Sequence, residues 1–210
     1  MPITSNRDLM LRARNSLQGK WGAAIGISVV YFLLSAVTGS SNFMRLVGLI
    51  VNGPLAVGLH VVFLSLVRNR ELRFGQLFEG FSSFLNALAA YLLMLLFIVL
   101  WSLLLIVPGI VAACSYSMTM FIIADNPAID GLEAIRRSKK MMYGNRWRLC
   151  CLGGRYTGWF LLGIVTCGIG FIWIGPYMMA GFAHFYQDLI DNGGATKPAG
   201  QPSEVIRQNP

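Results

Sequence analysis

The chain alternates between long uncharged apolar runs and short, mostly basic polar connections. Apolar runs over about residues 21–38, 46–67, 85–107, 110–124, 147–166 and 171–190 predict six membrane-crossing helices. The expected fold is all-α: a polytopic transmembrane helix bundle of six spans with amphipathic interfacial helices on the cytoplasmic side. Residues 1–191 read as one membrane domain. Residues 192–210, rich in Gly, Pro and polar side chains, read as a disordered cytoplasmic tail. The pattern is organised around Trp101 to Arg148, where an apolar hairpin broken at Pro108-Gly109 stops at Asp125-Asn126-Pro127 and leads into a basic helix.

Three segments carry helical amphipathicity instead of uniform apolarity. Ser5-Asn6-Arg7-Asp8 reads as a helix start, after which Leu9, Ala13 and Leu17 share a face among Arg7, Arg12, Arg14 and Lys20. Phe74, Leu77, Phe78, Phe81 and Phe84 line one face of a second segment that follows three arginines. In the third, Asp130 is the expected cap, Glu133 takes the third helical position and Gly144 suits the left-handed C-terminal site. Leu132, Ile135 and Met142 project to one side of it, Glu133, Arg136, Arg137 and Lys140 to the other, with Lys139 at the edge. All three are expected to lie on the membrane surface with their apolar faces in lipid.

Within the spans, Gly22 to Gly26 forms a small-xxx-small pattern suited to close helix approach. Pro54 is expected to kink the second span. Pro108, Gly109, Gly168, Gly170 and Pro176 mark further breaks or turns, and Trp173 and Tyr177 are placed near the outer interface. The fourth span is short, about 22 Å at 1.5 Å per residue.

Charge adds a direction to this pattern. Only 12% of residues are charged, 55% are apolar and the mean hydropathy is +0.60, against about 25% charged in soluble chains. Of the 17 lysines and arginines behind the net charge of +8, all but Arg45 fall on one set of alternate connections and the two termini. That asymmetry predicts a multi-pass protein of the cell's inner, cytoplasmic membrane with both termini in the cytoplasm. Arg68, Arg70, Arg73, Arg136, Arg137, Lys139, Lys140, Arg146 and Arg148 then form a basic surface for anionic lipid headgroups. Nucleic acid is not expected as a partner, because the basic helix also carries an apolar face. The first run is read as a retained span and not a signal peptide, since some twenty polar residues precede it.

Local blocks carry a family likeness. Trp101-Ser-Leu-Leu-Leu-Ile-Val-Pro-Gly-Ile110, then Tyr116-Ser-Met, forms one. Asp125-Asn-Pro, Glu133-Ala-Ile and Ser138-Lys-Lys-Met-Met-Tyr-Gly-Asn145 form the next, and Gly168-Ile-Gly-Phe-Ile-Trp-Ile-Gly-Pro-Tyr177 with Phe185-Tyr186 completes the set. In this order they resemble the domain-of-unknown-function 975 family of prokaryotic integral membrane proteins. The resemblance covers the chain to about Ile190 and implies a multi-span membrane protein without assigning catalytic or binding residues. Gly153-Gly154-Arg155 departs from the more apolar helix start expected of the family.

Candidate chemistry is sparse. His60, Arg155, His184 and Asp188 fall at similar expected depth and form a candidate polar intramembrane cluster, able to bind an anion or relay protons. The plainer reading has Arg155 reaching to the headgroups, the histidines bonded to backbone carbonyls and Asp188 solvated. No HExxH, GxSxG or Walker motif is present, so no catalytic residue, cofactor or metal site is expected. Cys114, Cys150, Cys151 and Cys167 lack ligand spacing and read as small apolar residues. The expected function is non-enzymatic: engaging anionic lipid or organising partners, other membrane proteins or further copies of the chain, at the inner leaflet. The alternative is a small-solute permease or export component with a cytoplasm-facing polar cavity.

Overall fold

The computed structural model describes residues 5–37, 42–104, 106–165 and 170–193. Nine α-helices and one 3-10 segment account for most of these residues, and no strand occurs among them. In chain order they are α1 (Asn6–Leu17), α2 (Trp21–Val37), α3 (Asn42–Val67), the 3-10 segment Phe74–Ser83, α4 (Phe84–Leu104), α5 (Ile106–Tyr116), α6 (Thr119–Asp125), α7 (Gly131–Met141), α8 (Arg146–Val165) and α9 (Phe171–Gly193). Asn192 and Gly193, the first two residues of the expected tail, belong instead to the last turn of α9, while residues 194–210, Cys167 and Gly168 lie outside the described residues.

Local sequence sets several of these boundaries. The Ser5 hydroxyl accepts from the Asp8 amide at 3.3 Å and starts α1. The Asp130 carboxylate accepts from the Leu132 amide at 3.2 Å and starts α7. Gly144 turns the chain toward α8 at φ +82°, a conformation that costs a Cβ-bearing residue more than glycine.

Among the described residues, Val47–Val67, Phe74–Leu103 and Pro108–Asp125 are long and apolar enough to cross a membrane. The α1–α2 pair, bent by 98°, makes a fourth if taken as one broken span. Helices α8 and α9 are long, but three arginines dilute the first and the polar run from His184 to Asn192 dilutes the second.

Pro54 and Pro176 sit inside helices that continue past them, so neither ends an element. Pro108-Gly109 lies in the first turn of α5, where proline forfeits only an amide that has no intrahelical partner. The glycine there permits a tight α4–α5 hairpin, since a Cβ at 109 would stand 2.4 Å from the Ser102 hydroxyl.

The second amphipathic segment, Phe74–Ser83, continues directly into α4 and packs along α3 through Leu77, while Phe74, Phe78 and Phe81 of its apolar face stay exposed. A Cβ at Gly58 would stand 1.8 Å from the Leu77 carbonyl oxygen, and one at Gly80 would stand 1.9 Å from that of Pro54. Backbone therefore touches backbone with no side chain between. By contrast Gly22 faces open space and Gly26 meets only the Phe74 ring at 3.4 Å, so the small-xxx-small pattern is not where helices approach closest.

The molecule divides along its length. At one end, where α2 finishes and α3, α5 and α9 begin, apolar side chains point outward: Phe32, Leu33, Ile50, Ile110 and Trp173 are exposed. The outer face of α4 continues this belt through Leu96 and Leu100 to Leu103, which is 84% exposed. At the other end Phe63, Leu66, Phe121, Ile123 and Phe185 are fully enclosed. Around that core lie α1, the 3-10 segment and α7. Leu9, Ala13 and Leu17 of α1 are buried in it. In α7, Ala134 and Ile135 are buried, as is Met142 at its C-cap, while Leu132 is partly exposed. The apolar faces of α1 and α7 thus close on protein and not on lipid. The reason is that the ends of α3, α4, α6 and α9 present an uncovered apolar surface of their own.

Candidate functional site

The polar groups of the enclosed half converge on the last three turns of α9. That stretch, His184 to Asn192, carries the chain's densest set of polar side chains within an otherwise apolar helix. Each meets a different neighbour. His184 shares a 2.7 Å hydrogen bond with the Ser16 hydroxyl of α1. The Gln187 amide oxygen accepts from Arg68 Nε at 3.3 Å, beyond the end of α3. Asp188 pairs with Arg148 of α8, Nη2 to Oδ2 at 2.7 Å, and its other oxygen accepts from Asn192 at 2.9 Å.

Two ion pairs dominate this rim. Arg68 holds Asp125 at the end of α6, and the Tyr186 hydroxyl donates to the same carboxylate at 3.5 Å. Arg148 holds Asp188 while its guanidinium lies 5.1 Å from the centre of the Phe185 ring. The Arg148 carbonyl accepts from the Asn6 side chain at 3.1 Å, which draws α1 into the same network. The carboxylates are nearly sealed, with side-chain exposures of 6% and 3%, and both arginines stand at 16%. Charges this far from water need their partners, since removing one strands the other in low dielectric. The pairs therefore fix which helix ends meet.

The four residues of the expected polar cluster do not come together. Asp188 takes Arg148 as its partner, and Arg155 projects to the exterior. His184 turns to α1. His60 hydrogen-bonds through Nδ1 to the Ala56 carbonyl at 2.6 Å and packs edge-on to Phe121, whose ring stacks on Tyr186. Arg148 and Arg155 are two turns apart on one helix, so spacing alone leaves both in reach of α9; the packing of α8 decides between them. Tyr177, expected near the outer interface, donates instead to the Met10 carbonyl of α1 at 3.3 Å.

The basic residues sort into two groups. Arg68 and Arg148 are withdrawn into the ion pairs. Arg70, Arg73, Arg136, Lys139 and Lys140 are exposed, while Arg137 is half-buried and bonds Glu133 at 3.2 Å. Arg146 is half-buried, with its Nε enclosed and without a protein acceptor. Exposed Arg73 pairs with Glu71 at 2.8 Å, which holds the Glu71 carboxyl below its ordinary range. Beside the α7 cations, Tyr143 and Trp147 are 80% and 79% exposed on the turn into α8. The Ser138 hydroxyl on the inner face of α7 donates to the Ser115 carbonyl at 2.8 Å and anchors the helix where α5 gives way to α6. Sequence spacing gave no sign of the Arg68–Asp125 pair, although both residues flank apolar runs.

Among the described residues no three His, Cys, Asp or Glu side chains come together as a metal site. The arrangement is that of a helical protein with several apolar helices fit for a membrane, held at one end by a structural polar network. The chain matches the family described as "Protein of unknown function (DUF975)" over residues 1–115 and 103–192, and it belongs to that family. No curated protein and no solved structure matches it.

Proposed function

We propose that this is a non-enzymatic, six-span protein of the cytoplasmic membrane that engages anionic lipid headgroups at the inner leaflet. In this reading α2, α3, the 3-10 segment with α4, α5 with α6, α8 and α9 are the six crossings, and both termini lie in the cytoplasm. The observation that carries the proposal is the coincidence of two gradients. Outward-facing apolar side chains gather at one end of the molecule, and among the described residues the lysines and arginines other than Arg45 and Arg155 belong to α1, α7, the connections and the adjoining helix ends at the other. A bilayer satisfies both at once, because lipid tails cover the apolar belt while cations remain on the side of synthesis.

The exposed Arg136, Lys139 and Lys140 support lipid as the partner. Their helix needs no membrane insertion to stay folded, as its apolar face is covered by protein. It is free to present charge to headgroups, each contact contributing about 1 kcal/mol at an anionic surface. Tyr143 and Trp147 are the amphipathic aromatics that favour such an interface.

Native mass spectrometry of the purified protein, offered equal amounts of phosphatidylglycerol and phosphatidylethanolamine, tests this. Preferential retention of phosphatidylglycerol, lost in the Arg136→Gln, Lys139→Gln, Lys140→Gln triple variant, is the expected result. Equal retention of both lipids would overturn it, and solute flux into proteoliposomes alongside equal retention would establish the permease reading instead.

A further inference from the structure

Two cysteine side chains that spacing marks as inert meet across a helix interface. Cys114 lies in the last turns of α5 and Cys150 in the second turn of α8, and their sulfurs are 3.4 Å apart. Thirty-five residues separate them in sequence, including all of α6 and α7, so the approach is a product of the fold. Both are free thiols of intermediate exposure, reachable by a small reagent. Arg146 lies one turn before Cys150 on α8. Its Nε finds no protein acceptor. A disulfide needs a sulfur separation of about 2.05 Å, and χ1 rotation about the two Cα–Cβ bonds repositions the sulfurs toward it.

We propose that Cys114 and Cys150 form a reversible disulfide, a two-electron modification site that takes a peroxide as oxidant. The thiolate of one cysteine attacks a peroxide oxygen, the O–O bond breaks, and a sulfenic acid and hydroxide result. The second thiol then attacks the sulfenic sulfur, the S–S bond forms, and water leaves. In sum two thiols and one hydrogen peroxide give one disulfide and two waters. The bond ties the α4–α5 hairpin to α8, and so joins the apolar belt to the helix that supplies Arg148. Cys151, the next residue on α8, points about 100° away around the helix and serves as an internal control.

The test treats the full-length protein in its native membranes with hydrogen peroxide. Remaining thiols are then alkylated under denaturing conditions, and the protein is digested without reduction for mass spectrometry. The expected result is a Cys114–Cys150 linked peptide pair and the loss of two of the four alkylatable thiols, reversed by dithiothreitol. The linkage should persist in Cys151→Ser and vanish in Cys150→Ser. Four alkylatable thiols after treatment, a linkage through Cys151, or one joining two copies of the chain would each overturn the proposal.

Discussion

The two ends of this molecule use hydrophobic side chains in opposite ways. In the apolar half Leu103 and its neighbours Leu96 and Leu100 on α4 face outward. In the enclosed half Phe63, Phe121 and Phe185 face inward, and α1 and α7 bury their apolar faces as amphipathic helices do in a soluble domain, while the 3-10 segment buries Leu77 and leaves Phe74 and Phe78 exposed. The comparison teaches that an amphipathic segment beside a membrane span does not by its pattern belong to lipid. Where helix ends leave apolar surface uncovered, α1 and α7 fold onto it, and their charged faces are what remains exposed.

The largest effect expected from breaking that contrast is at the buried ion pairs. Asp188→Asn removes the carboxylate that holds the enclosed Arg148 and should cost about 3–5 kcal/mol, read as a drop in the melting temperature of the purified protein. Asp125→Asn, stranding Arg68, should do the same. A similar loss is expected for Phe63→Ala, about 3–5 kcal/mol for an emptied core site. Leu103→Ala, in the belt, should stay within about 0.5 kcal/mol. Equal losses at Phe63 and Leu103 would dissolve the distinction between the halves.

A smaller effect sharpens where backbones meet. Gly58→Ala must push the Leu77 carbonyl aside and should cost about 1–3 kcal/mol, whereas Gly22→Ala, with nothing within 4 Å, should cost nothing measurable in the same thermal scan. The smallest effect concerns the exposed pair Glu71–Arg73. Because the folded-state pKa of Glu71 is lowered, its contribution is present above the ordinary glutamate pKa of about 4.3 and lost as pH falls through the lowered value. Both side chains are open to water, so screening leaves Glu71→Gln without a detectable change in melting temperature at pH 7.

Much of the local structure was legible in the sequence because it is fixed by short-range chemistry. Ser5, Asp130 and Gly144 occupy the cap and turn positions that their side chains favour. Helical periodicity marked Leu9, Ala13 and Leu17 as one buried face. What periodicity does not carry is the identity of the covering surface, and so lipid was expected where α9 and α3 stand. The partner of Asp188 was out of reach for a related reason, since Arg148 and Arg155 share a helix face and only the seating of α8 against α9 selects between them. Gly58 and Gly80 fall in no recognised spacing, as their contact joins an α-helix to a 3-10 segment with a different rise per residue. The Cys114–Cys150 approach depends on the α5–α8 interface alone.

The account rests on a bilayer around the apolar belt with the basic end left in the cytoplasm. The direct measurement is a pair of fusions to a phosphatase that is active only outside the cytoplasmic membrane, one after Ser41 and one after Asn145. Activity from the first and none from the second is the predicted result, and activity from the Asn145 fusion or silence from the Ser41 fusion would contradict it.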